Sequence, residues 1–338
     1  VTLTSSLGIN NGGTVSNQAG SLAVGGTTTT NGTAGIANYG TLALATLDVA
    51  SNVLTLTNNA GPTTISTLTL SGGNATLTNN DTDSLHTIGV TTTQLSSGLT
   101  LTSNGLGAKN LGNVTMAGGS TINHSAGALT GNFTAGTGPG TGLLNVTGGT
   151  ATIGSVSVSG GGNGNLELDN SSANPMTIQG PVQVGTAKFL TLGGSGATNL
   201  TGIGGAATSV QGTLVKADSG TLAVSALTLN GGQLQGAGGT ANVSSLTSQG
   251  ASSISNSAAN ISVTNTNVPA GTLTVTNTGA AIGMTNVSLS GGSFTHNSGA
   301  LNLGTVYSLA TGTFTNTAGA LSSFVLEAQP SGALPILN

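Results

Sequence analysis

The sequence has no cysteine, no arginine and no tryptophan, and each absence removes a class of chemistry. Without cysteine there is no disulfide, no thiolate nucleophile and no cysteine–zinc site. The only cations are Lys109, Lys188 and Lys216. Three basic groups cannot neutralise a phosphate backbone, so nucleic acid is excluded as a partner, and an anionic membrane surface is disfavoured on the same ground. Charged residues make up 3% of the chain, against about 25% in ordinary soluble domains. That scarcity also argues against disorder driven by charge repulsion. No apolar run reaches the ~18 residues that would span a bilayer as a helix. Aromatics are 2%, so the core is expected to be aliphatic and thin, and a thin core needs a thin architecture.

What the chain does have is glycine, 58 of 338 residues, among threonine, serine, asparagine and small aliphatics. Residues 68–80, LTLSGGNATLTNN, carry the grammar. Leu68 and Leu70 face one side of a strand, Thr69 and Ser71 the other. Gly72-Gly73 frees the backbone for a corner. Ala75 and Leu77 then share a face, and Asn79-Asn80 supplies the next corner. In residues 40–57, Leu42 and Leu44 share one parity, Leu47 and Val49 the other, and Leu54 and Leu56 return to the first. A parity switch within a flat strand would expose apolar residues, whereas at a corner it is harmless. The expectation is strands of about three to six residues separated by corners, in coils of about 18–25 residues. Glycine-pair phrases begin at 68, 114, 144, 156, 227 and 287 and share no clean period. Helix is opposed by glycine, β-branched residues and Asn/Ser.

The fold class that follows is all-β, a right-handed parallel β-solenoid, with tandem antiparallel β-sandwiches as the alternative. Short strands with Gly and Asn at the corners suit a solenoid. So do ladders of like, uncharged side chains, since like charges would otherwise stack about 4.8 Å apart. Residues 1–321 are read as a solenoid of irregular coils, with GTGPGTG (136–142) as a candidate break. Residues 322–338 are read as a capping or docking segment.

The phrases LTLSGG, LTLNGG, VSLSGG and GTLTVTNTG (271–279) resemble the repeats of secreted bacterial β-solenoid surface proteins: autotransporter passengers, filamentous-haemagglutinin-like adhesins and autotransporter-associated β-strand repeats. The resemblance implies an extracellular, cell-surface structure, often adhesive or fibrous.

Candidate chemistry is sparse. NNDTDSLH (79–86) places Asp81 and Asp83 on one face of an extended segment near His86. Two carboxylates suggest a calcium site or an acid pair for glycan hydrolysis, but calcium wants six or more oxygens, and a solvated loop tip explains the cluster as well. Glu167 and Asp169 also share a strand face, the arrangement a polysaccharide-degrading β-helix enzyme would use. The chain lacks the further charged groups such an enzyme needs, so no catalytic residue and no cofactor are assigned. His86, His124 and His296 lack metal-ligand spacing; INHSAGAL (122–129) and THNSGAL (295–301) point to internal duplication instead. Threonine runs such as 27–30 and 91–93 do not align as one Thr-x-Thr per coil in the sequence, and threonine is a good strand former in any case.

The function expected is an extracellular structural protein that self-assembles head to tail by β-strand stacking into a filament or sheath. Its docking residues would be Val1, Leu3 and Leu7 at one end and Phe324, Leu326, Leu334 and Ile336 at the other. The alternative is an adhesin region that binds a glycan or host surface.

Overall fold

The computed structural model describes residues 1–159, 164–201, 208–308, 312–322 and 325–328. Among them there is no helix, and the ladders are parallel. The fold is a parallel β-solenoid of about 15 coils. Antiparallel sandwiches are excluded, because strands one coil apart run in the same direction. The chain divides into two compact units, Val1–Val156 with Gly160–Met176, and Ser157–Ser159 with Thr177–Asn338. Each unit contains two parallel sheets, A and B, visited alternately along the chain.

Thr41–Asn58 displays the coil rule in unit one. Its first part pairs in sheet A with Thr63–Leu70, in register Leu42↔Thr63 to Val49↔Leu70. Its last part pairs in sheet B with Gly73–Asn79, in register Leu54↔Ala75, Leu56↔Leu77 and Asn58↔Asn79. Leu42, Leu44, Leu47, Val49, Leu54 and Leu56 are all buried. The two parity switches fall at Ala45–Thr46 and around Asn52, whose φ is +57°. The corners are therefore where the sequence puts them, but this strand is 18 residues long and runs through them. The neighbouring coil bends at the same place, so ladder hydrogen bonds continue round the corner.

Coil length varies. Ala223 pairs with Asn242, whereas Thr63 pairs with Ile88, a distinctly longer step along the chain. The long coil holds its extra residues in the loop 80–87, outside the ladders. Of residues 136–142, 136–140 form a turn inside unit one between the strands Ala128–Ala135 and Thr141–Val146.

Unit two repeats the plan. Thr221–Asn230, Thr240–Gln249 and Asn260–Val268 stack in sheet A, and Gln233–Gly236, Ala251–Asn256 and Thr272–Asn277 in sheet B. Like packs on like within its core: the rings of Phe294 and Phe314, one coil apart, stack at 5.2 Å between centroids and 7° between planes. Val325–Ala328 continues the sheet A ladder, with Leu326 opposite Val306.

Glycine is required where coils stack closely at a corner. Gly61 has φ +73°, and a Cβ there would collide with the carbonyl oxygen of Gly40, one coil earlier. Gly40 stands in the same relation to Gly20.

Candidate functional site

The acidic cluster belongs to the loop 80–87. Asp81 Oδ1 accepts the Asp83 N–H (3.0 Å), Asp81 Oδ2 accepts the Gly61 N–H (3.2 Å), and His86 Nδ1 lies 2.8 Å from Oδ2. Asp83 Oδ1 accepts the Leu85 N–H. The Asp83 N–H, opposed by partial desolvation and aided by His86, holds the Asp81 carboxyl below its ordinary pKa. Both carboxylates thus shape the loop that carries them. Among the described residues no group of three or more His, Asp or Glu is placed to share a metal ion.

Glu167 and Asp169 lie on Asn165–Asn170, opposite Leu143 and Asn145 of the preceding coil. Both face outward while Leu166 and Leu168 are buried, as the alternation requires. Asp169 Oδ1 accepts a hydrogen bond from the Ser171 hydroxyl.

The main concentration of buried polar groups is internal, at the corner where sheet B leads back to sheet A. In unit one, buried Asn17, Asn38, Asn58 and Asn79 form an amide ladder. Asn17 Nδ2 donates to Asn38 Oδ1 (2.8 Å), Asn38 Nδ2 to Asn58 Oδ1 (2.8 Å) and Asn58 Nδ2 to Asn79 Oδ1 (3.0 Å). An amide is long enough to span the ~4.8 Å between coils. Unit two repeats the device with Asn256 and Asn277 (3.0 Å).

After Asn79 the unit-one ladder stops, because the next coil presents Gly105 at that position. Lys109 reaches into the same corner. Its ammonium donates to the carbonyls of Asn104 (2.7 Å), Gly105 (2.6 Å) and Ala126 (2.9 Å), with 1% of the residue exposed. Burial lowers its pKa to about 8. His124, one coil on, is also fully buried. The Gly127 carbonyl can only accept, so His124 Nε2 carries the proton and Nδ1 accepts from the Ser103 hydroxyl (3.1 Å). Burial first, then the charge of Lys109, lowers its pKa to about 4. In unit two, buried Lys216 donates to the carbonyls of Ala217 and Asp218. His296 pairs with Asn316 Oδ1 (2.8 Å) and the Ser298 carbonyl (3.0 Å). The duplicated His phrases thus place both rings in sheet B interiors, each bonded to a carbonyl just downstream. Nothing in the sequence marked Lys109 or Lys216 as interior; for Lys109, neighbours in sequence do not reveal a cage of carbonyls assembled from two coils.

The outward face is polar and carries little charge. On sheet A of unit one, Thr27, Thr46, Thr67, Thr92, Asn113 and Asn132 fall in register on six successive coils. Two residues along each strand lies a second column: Thr29, Asp48, Thr69, Gln94, Thr115 and Thr134. As the sequence reading has it, Thr-x-Thr does not recur on every coil: only Thr27/Thr29 and Thr67/Thr69 complete the pair, although single threonines from coils of unequal length do fall in register. A groove of about 340 Å³ beside the second column is lined by Thr69, Gln94, Thr115 and Thr137, among others, with no titratable side chain.

Of the expected docking residues, Val1 is exposed, and Leu3 and Leu7 are half-buried on edge strands paired with Ser21–Asn31. Phe324, Leu334 and Ile336 lie outside the described residues, as does the side chain of Leu326.

No known family model, curated protein or solved structure matches the chain. What the fold defines is a parallel β-solenoid, an architecture compatible with the β-helix surface proteins.

Proposed function

We propose that the chain is an extracellular, non-enzymatic structural protein that extends by adding coil to coil and assembles head to tail into a filament or sheath. The observation that carries this reading is the coil edge itself. Strands Thr2–Leu3, Leu7–Asn10 and Thr14–Asn17 each pair on one side with the following coil and have no strand on the other among the described residues. They carry no charged side chain. An uncharged strand edge, wherever it is left unpaired, is a template for another strand, and charge is one of the devices natural sheets use to prevent such pairing. The neutral side-chain columns add no like-charge repulsion when a further coil is stacked. A heterologous contact of this kind does not close on itself, so it propagates. Val1, Leu3 and Leu7 are the proposed contacts at this edge.

The test is electron microscopy of the purified chain with and without Leu3→Lys and Leu7→Lys. Uniform fibres with a coil repeat of about 4.8 Å along the axis are expected, and the double variant should stay dispersed. Dispersed wild-type protein that binds glycans would favour the adhesin alternative, for which the neutral Thr and Asn columns are a suitable surface. Turnover of a polysaccharide that disappears on neutralising Asp81, Asp83, Glu167 or Asp169 would favour an enzyme.

A further inference from the structure

We propose that the sheet A face of unit one binds ice, through the column Thr27, Thr46, Thr67 and Thr92, which holds a row of ordered water. This goes beyond the assembly proposal and does not depend on it.

The register is the first ground. Thr27, Thr46, Thr67 and Thr92 stand on four successive coils, and the adjacent column adds Thr29, Thr69, Thr115 and Thr134, interrupted by Asp48 and Gln94. Every one of these residues faces outward and is partly or fully exposed.

The second ground is that the hydroxyls of the first column have no hydrogen-bond partner among the described residues. Their spacing accounts for this. Hydroxyls whose strands lie about 4.8 Å apart meet only where both side chains turn together, as Thr313 Oγ1 and Ser293 Oγ do at 2.8 Å on sheet B of unit two; along this column they do not. The longer amides manage it: Asn132 Nδ2 reaches Asn113 Oδ1 at 3.0 Å further along the same column. For threonine the gap fits one water. Two hydrogen bonds of about 2.8 Å meeting at a tetrahedral angle span about 4.6 Å. That is also the distance between second-neighbour oxygens in tetrahedral ice. A row of threonines at coil spacing therefore holds waters at close to the lattice repeat, and the threonine methyls beside them present apolar surface.

The third ground is what the face lacks. It has no aromatic platform on which a sugar ring would stack. Its one charge is Asp48, whose Oδ1 accepts a hydrogen bond from the Ser71 hydroxyl (2.6 Å). Freely hydrated charges disrupt ordered water, and here the single carboxylate is tied to the protein.

The experiment uses the whole chain in an ice-recrystallisation assay and a thermal-hysteresis measurement, against an equal mass of serum albumin. Suppression of crystal growth and faceted ice are expected. Thr67→Lys and Thr46→Lys, each placing a charged side chain in the middle of the column, should lose both effects while keeping the β-sheet circular dichroism of the parent. Gln235→Lys, the same charge change on sheet B of unit two, should keep them. Two substitutions on separate coils guard against one failing to fold. A chain no better than albumin would overturn the proposal, and so would full activity in a folded Thr67→Lys or Thr46→Lys protein.

Discussion

Thr30 points into the core of unit one between Ile9 and Val49, its register partners on the two neighbouring coils. Its hydroxyl and that of Thr28, which lies between Leu7 and Leu47, are buried without a hydrogen-bond partner. Thr30→Val keeps the shape and removes the stranded polar atom. It should raise unfolding stability by about 1 kcal/mol, read from urea denaturation. Gly61→Ala should act in the opposite direction. It forces an L-residue into a left-handed conformation and drives a methyl against the Gly40 carbonyl. A loss of about 1–3 kcal/mol is expected in the same measurement. Much at this scale was legible in the sequence. Leu68, Leu70, Ala75 and Leu77 face inward as their alternation requires. Asn79 was legible only in part: it does sit at a corner, but buried within the ladder, because its amide finds a partner one coil away. Stacked hydroxyls satisfy one another less regularly: Thr313 Oγ1 donates to Ser293 Oγ at 2.8 Å across one coil step, whereas the buried Thr28 and Thr30 hydroxyls find no partner.

The corner that holds Lys109 and His124 sets a pH response at the scale of the element. An unfolded chain protonates His124 near pH 6.5, whereas the folded chain resists protonation until about pH 4. Between those values the unfolded state binds the extra proton, so stability falls as the pH drops through the window and levels off below it. Lys109 acts by the same rule at alkaline pH. Its folded pKa of about 8 lies below the ordinary 10.5, so stability rises as the pH climbs from about 8 to 10.5. Denaturant midpoints measured against pH should show both limbs, and His124→Leu should flatten the acidic one. Neither limb was foreseeable from sequence, because the two groups are well separated along the chain and meet only through the coil register. The glycine-pair phrases show the same limit. Those at 68, 114, 156, 227 and 287 all lie on sheet A strands, whereas the one at 144 lies on sheet B. Mixing two corners of the coil, and coils of unequal length, conceals the repeat.

At the scale of the whole molecule, both units obey one rule: a short parallel coil with an aliphatic lining, a glycine or asparagine corner and a sparsely charged exterior. That rule was readable from alternation, corner residues and the lack of charge together. The interior siting of Lys109 and Lys216 has an effect at this scale too. With those two lysines hidden, Lys188 is the remaining lysine to offset the acidic residues outside. Fibre formation should therefore be sensitive to pH, accelerating as carboxylates are neutralised towards the sequence pI of about 4.9. Light scattering across that range would check it, and assembly indifferent to pH would count against repulsion between the outer carboxylates as a brake on the proposed assembly.

Because each ladder links a coil only to the coils before and after it, no residue is committed to a distant part of the sequence. A gene built this way can gain or shed one repeat at a time by slippage during copying, and each product remains a viable fold. Protein length then becomes something natural selection can adjust in small, nearly neutral steps, much as a mason alters the height of a wall by courses.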